Sequence, residues 1–189
     1  MNLANKLTLL RVILIPIFVL FLLWQFTSFN VLISLLIFAI ASITDALDGN
    51  YARKHNLVTD FGKFLDPLAD KALVMAALVC FVQLGWAGAV PVMIILFREF
   101  MVSALRLVVS SDKGVVVAAG WSGKLKTAFT MIAIIAILFL HGILAIGVPV
   151  PEMFIKIVAE VLIWIATALT VYSGAEYLKA YWHVIDTNK

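Results

Sequence analysis

Charge is what this chain lacks most. Only 13% of its 189 residues are charged while 64% are hydrophobic, a balance that excludes the mixed surface of a soluble globular domain. Cysteine is nearly absent. The single Cys80 sits in an apolar run, so a disulfide within the chain is excluded and the thiol reads as a small core residue. No internal repeat, low-complexity tract or separate polar domain can be drawn. Lys6 and Arg11 precede an apolar run in the manner of a signal peptide, yet no polar mature domain follows, so this run reads as a retained first helix. The net charge of +3 is modest. It suits anionic headgroups or phosphorylated substrates and argues against a nucleic-acid partner.

What remains is apolar sequence in long blocks. Six membrane spans are predicted, at about 7 to 27, 29 to 54, 60 to 84, 88 to 111, 121 to 146 and 151 to 182, each near the ~20 residues that a crossing needs. The expected fold is an all-α integral membrane bundle of six transmembrane helices, one domain over residues 1–189. Lysine and arginine are missing from the connections at 25–30, 83–91 and 141–151. Lys6, Arg11, Arg53, Lys63, Lys71, Arg106, Lys113, Lys124, Lys126 and Lys179 all fall on the opposite side, which the positive-inside bias places in the cytoplasm with both termini. Trp24, Trp86, Tyr181 and Trp182 lie near span ends and are expected as interfacial anchors.

The polar chemistry gathers between Asp45 and Lys71. Asp45 and Asp48 are spaced i,i+3 at the end of one span, and Asp66 and Asp70 i,i+4 at the start of the next, so each pair shares a helix face. Four unpaired carboxylates at the edge of hydrocarbon need a cation, and hard oxygen ligands favour magnesium, manganese or calcium. Gly49 and Ala52 leave room for a bulky group, Gly62 clears space one turn before Asp66, and Arg53 offers a planar fork to phosphate oxygens. Pro67 removes a helix donor and can bend the helix. The pattern fits a metal-assisted phosphoryl site. Two other readings stand beside it: acids that cap helix ends or pair with Arg53, Lys63 and Lys71, and acids lining the path of a cation channel or transporter.

The string Asp45-x-x-Asp48-Gly49-x-x-Ala52-Arg53, then Gly62-x-x-x-Asp66-x-x-x-Asp70, resembles the signature of the CDP-alcohol phosphotransferase family at every motif position. The resemblance implies a six-helix membrane enzyme, usually a homodimer, that displaces CMP from a CDP-linked donor with an acceptor alcohol. It implies that Asp45, Asp48, Asp66 and Asp70 hold two divalent cations, Mg2+ or Mn2+, with Asp70 also the general base. Gly49, Ala52, Arg53 and Gly62 would cradle the cytidine diphosphate, with Asn5 and Thr8 as further contacts; the alternative for those two is a helix cap.

Three more segments are similar to the bacterial phosphatidylglycerophosphate synthase branch: Asn5-Lys-Leu-Thr8-Leu-Leu-Arg11, preceded by Ala4 where proline is usual, then Arg98 to Arg106, and Trp121 to Thr127. That likeness implies CDP-diacylglycerol as donor and glycerol 3-phosphate as acceptor, in the bacterial cytoplasmic membrane. Serine, inositol phosphate and phosphatidylglycerol are the rival acceptors. Arg106, Lys124 and Lys126 are the candidates for the acceptor phosphate, although membrane topology alone would also place cations there. Arg98 and Glu160 fall at similar predicted depths and are expected to pair, with Glu99 sharing the contact or bonding to Arg106 or a neighbouring helix. His55, His141 and His183 lack ligand spacing and are expected at loops or span ends.

Overall fold

The computed structural model describes residues 3–24, 26–55, 60–113 and 120–182, with the side chains at 3–7, 45–55, 60–68, 70 and 107–113 outside that description. Among these residues six helices follow one another: α1 Leu3–Leu23, α2 Asn30–His55, α3 Asp60–Gln83, α4 Ala89–Lys113, α5 Trp121–Ala145 and α6 Glu152–Tyr181. They match the six predicted segments, except that α1 lies about four residues earlier than expected. The reason is Asn30. Its side-chain amide donates to the carbonyl of Trp24, while its Oδ1 accepts from Thr27 N at 3.1 Å and Thr27 Oγ1 at 2.8 Å. This knot ends α1 and opens α2, so the intervening apolar residues turn instead of extending the helix.

The other two connections without basic residues, at 83–91 and 141–151, are built from glycine-terminated helix ends. Gly85 (φ +73°) closes α3, where Trp86 N–H donates to Phe81 O at 2.8 Å and Gly85 N–H to Val82 O at 3.1 Å. Gly147 (φ +90°) repeats the pattern on α5, with Val148 N–H on Ile143 O and Gly147 N–H on Leu144 O. A residue with a β-carbon rarely adopts this left-handed conformation, and the reciprocal bonds satisfy carbonyls that the helix leaves open. The Trp86 ring then folds onto Phe81, centroids 5.6 Å apart, and lies flat on His141 of α5 at 3.8 Å and 8°. Trp86 thus packs against α3 and α5, and His141, expected at a loop or span end, is half-buried in the last turns of α5. Span ends counted along the chain do not reveal that this turn folds back over the bundle. His55 lacks a described side chain, and His183 lies beyond the described residues.

α1 packs against α2 and α3, α5 against α2 and α6, and α4 against α6. Phe18 and Phe38 (5.8 Å between centroids), Leu78, Phe81, Ile134 and Ile137 form the centre, with free Cys80 buried at its edge. Buried hydroxyls of Ser34, Thr130, Thr167 and Thr170 each donate to the carbonyl one turn back, so they add no unmet donor to an apolar interior. The exterior is apolar as well, with Met93, Phe97, Phe100 and Met153 all more than 60% exposed. Among the described residues, α5 and α6 are long and apolar enough to cross a membrane, while Thr8–Leu23, Asn30–Thr44 and Lys71–Gln83 are shorter apolar stretches.

Candidate active site

The motif is divided between two helix ends. Asp45, Asp48, Gly49, Ala52 and Arg53 occupy the last turns of α2, and Gly62, Asp66 and Asp70 the first turns of α3, which is continuous through Pro67. Their side chains, with that of Asn5, lie outside the described ones. The donor chemistry fits a hard divalent cation: two carboxylate pairs on helical spacing, one at the end of α2 and one at the start of α3.

Beside these ends the bundle encloses a cavity of about 510 Å³. Ser42, three residues before Asp45, lines it from α2, and Lys71, immediately after Asp70, lines it from α3. Arg11, Arg98, Arg106, Lys124 and Lys126 complete a wall of six cations, against which Glu99 is the one acid among the described lining residues. The three cations expected to hold an acceptor phosphate are thus brought into one space. Lys124 is exposed at the start of α5, whereas Lys126 is buried and forms an ion pair with Glu99 of α4. The guanidinium of Arg106 lies 5.6 Å from the ring centre of Tyr177, a cation–π contact from α6. Thr8 is 1% exposed on α1, one turn from Arg11, but does not line the cavity.

α4 is the helix that organises this wall. Lys71 Nζ donates to Ser103 Oγ, and Ser103 Oγ donates to the Glu99 carbonyl at 2.6 Å. Arg98 Nη1 and Lys126 Nζ both reach Glu99 Oε1, the former at 3.1 Å. One residue therefore ties together cations from α3, α4 and α5. Crowded like charges in a poorly solvated space need such a counter-ion. The Nε groups of Arg98 and Arg106 are buried without a hydrogen-bond partner among the described residues. An unmet buried donor costs about 1–3 kcal/mol, which an oxyanion in the cavity would relieve.

Arg98 does not pair with Glu160. Its Nη2 donates instead to Ser173 Oγ at 2.7 Å, and Pro91 O lies 3.4 Å from Thr167 Oγ1, two contacts that mark the register of α4 against α6. Glu160 is exposed and lies thirteen residues, about 20 Å of helix, from Ser173. The expectation failed because α6 begins well before α4 along their shared direction, so equal counts from the helix starts are not equal depths. Arg11, Lys71 and Arg98 are cavity residues that the sequence analysis did not assign to binding. Only their basic character pointed that way, and positive-inside topology accounted for most of it.

A family model described as CDP-alcohol phosphatidyltransferase matches residues 1–172. A protein of Bacillus subtilis named CDP-diacylglycerol–glycerol-3-phosphate 3-phosphatidyltransferase is 46% identical, the match covering 99% of this chain and 98% of that protein. Proteins of the same name from Rickettsia typhi and Salmonella typhimurium are 41% and 38% identical, each over 95% of this chain and over 96% and 94% of their own. With the motif carried on two helix ends beside a cationic cavity, and relatives matched along nearly its whole length, the chain belongs to the CDP-alcohol phosphatidyltransferase family.

Proposed function

We propose that the protein is a membrane enzyme that transfers the phosphatidyl group of CDP-diacylglycerol to glycerol 3-phosphate, giving phosphatidylglycerophosphate and CMP. The observation that carries this reading is the cavity: six cations stand directly beside the helix turns that bear the motif. The names of full-length relatives at 38–46% identity support the same two substrates.

In this reading Gly49, Ala52, Arg53 and Gly62, with Asn5 and Thr8, receive the cytidine diphosphate. Arg106, Lys124 and Lys126 hold the acceptor phosphate, since guanidinium and ammonium groups form strong charge-assisted bonds to phosphate oxygens. Asp45, Asp48, Asp66 and Asp70 would hold divalent cations, Mg2+ or Mn2+, whose charge would offset that of the diphosphate and of the departing CMP. Asp70 takes the proton of the acceptor hydroxyl as its oxygen bonds to the phosphatidyl phosphorus and the phosphoanhydride bond breaks towards CMP. Glu99 balances the charge of Lys126 and Arg98 until a phosphate arrives.

The apolar exterior and the two crossing-length helices support a membrane setting. The finer reading is six crossings in the bacterial cytoplasmic membrane, termini and cavity on the cytoplasmic side, in a homodimer. The lipid tails leave sideways into the bilayer while the phosphates meet at its surface.

The test is CMP release by the purified protein from CDP-diacylglycerol, with glycerol 3-phosphate, serine, inositol phosphate or phosphatidylglycerol as acceptor. Release with glycerol 3-phosphate alone is expected. Release with serine but not glycerol 3-phosphate would reassign the acceptor, and ion permeation without any CMP release would replace the enzyme by a channel.

A further inference from the structure

The course of Arg98 through the bundle is set by a helix that carries none of the motif. Arg98 leaves α4 towards α6, 8% exposed, and its Nη2 donates to Ser173 Oγ at 2.7 Å. Ser173 is itself 2% exposed, with Ser122 Oγ of α5 another 3.5 Å beyond. The next residue, Gly174, makes the passage possible: a β-carbon there would stand 2.9 Å from Arg98 Cγ and 3.5 Å from its Nε. Glu99 takes Nη1 at 3.1 Å. A guanidinium is a rigid planar fork with five donors, so two bonds from different directions fix its plane and leave the remaining donors to the cavity.

We propose that Ser173 and Gly174 are positioning residues for the acceptor: they aim Arg98 into the cavity so that its fork meets the acceptor's phosphate. This rests on reading the cavity as the acceptor site. Neither residue touches substrate. Ser173 orients the guanidinium by one hydrogen bond, and Gly174 acts by leaving space beside its stem. The donor nucleotide, held at the ends of α2 and α3, is outside their reach, so their loss falls on one substrate only.

The experiment measures CMP release by the full chain in mixed micelles, varying each substrate in turn, together with calorimetric titration of glycerol 3-phosphate into the protein. Ser173→Ala is expected to raise the KM for glycerol 3-phosphate about fivefold and Gly174→Ala about tenfold, with kcat and the KM for CDP-diacylglycerol within about twofold of the parent, the pattern of lost binding at one subsite. Ser173→Thr, which keeps the hydroxyl, restores the parental value, and calorimetric affinity follows the same order. Should Gly174→Ala fail to fold, the alanine and threonine variants of Ser173 decide. An unchanged acceptor KM in Ser173→Ala, an equal rise for both substrates, or no rescue by threonine overturns the inference. Absence of glycerol 3-phosphate-dependent CMP release by the unaltered protein is seen before any variant is compared; it overturns the acceptor reading and this inference with it.

Discussion

Asp70 and Lys124 divide the proposed chemistry between proton transfer and acceptor binding, and single substitutions separate the two. Asp70→Asn removes one base and one charge but little volume, so nucleotide binding is expected to persist while kcat falls by about 10²–10⁴, the usual range for a lost general base. Unchanged turnover in that variant removes Asp70 from the mechanism. Lys124→Ala deletes a cation at the mouth of the cavity. The KM for glycerol 3-phosphate is expected to rise about tenfold, corresponding to one charge-assisted bond of ~1.5 kcal/mol, with the KM for CDP-diacylglycerol unchanged. An equal rise for both places Lys124 outside the acceptor pocket. Lys126 differs because Glu99 already engages it. Neither contribution could be ranked from the sequence, where the two lysines stand two positions apart and look alike.

At the scale of the helices, the sequence was legible where local physics decides and illegible where neighbours decide. Apolar block length and the glycine-bearing breaks located all six helices to within a few residues. The axial offset between α4 and α6 was invisible, because it depends on how far α6 extends past Pro91 before Thr167 meets it. Hence Arg98 found Ser173 instead of Glu160. The α3–α4 turn offers a test at this scale. Gly85→Ala meets no neighbouring atom, so its whole effect is backbone strain at φ +73°. A loss of about 1–2 kcal/mol is expected, read as a lower midpoint of thermal unfolding in detergent at unaltered substrate KM values. An unchanged midpoint would show that the turn tolerates a β-carbon without cost.

For the whole molecule, the four acids of the motif lie on two helix ends and six cations line the adjoining cavity among the described residues, opposite demands that the proposed substrate pair would satisfy with a metal-bound diphosphate and a free phosphate. Chelation with EDTA is expected to abolish CMP release, and added Mg2+ or Mn2+ to restore it. Full turnover in EDTA would remove the cations from the reaction and return the aspartates to a structural role. In detergent the particle is expected at twice the mass of the 20.8 kDa chain once bound detergent is subtracted; a monomeric mass would withdraw the homodimer.

The sequence by itself determined the apolar character, the order of helices and the motif spacing, since hydropathy, glycine-bearing breaks and i,i+3 or i,i+4 periodicity act within a few residues along the chain. Only the tertiary structure decided that Arg11, Lys71, Arg98, Arg106, Lys124 and Lys126 share one cavity, and that one of them bonds to Ser173 of α6. Those facts depend on the rotation and axial offset of each helix against its neighbours. Both are set by side-chain packing among residues distant in sequence, which no local pattern encodes.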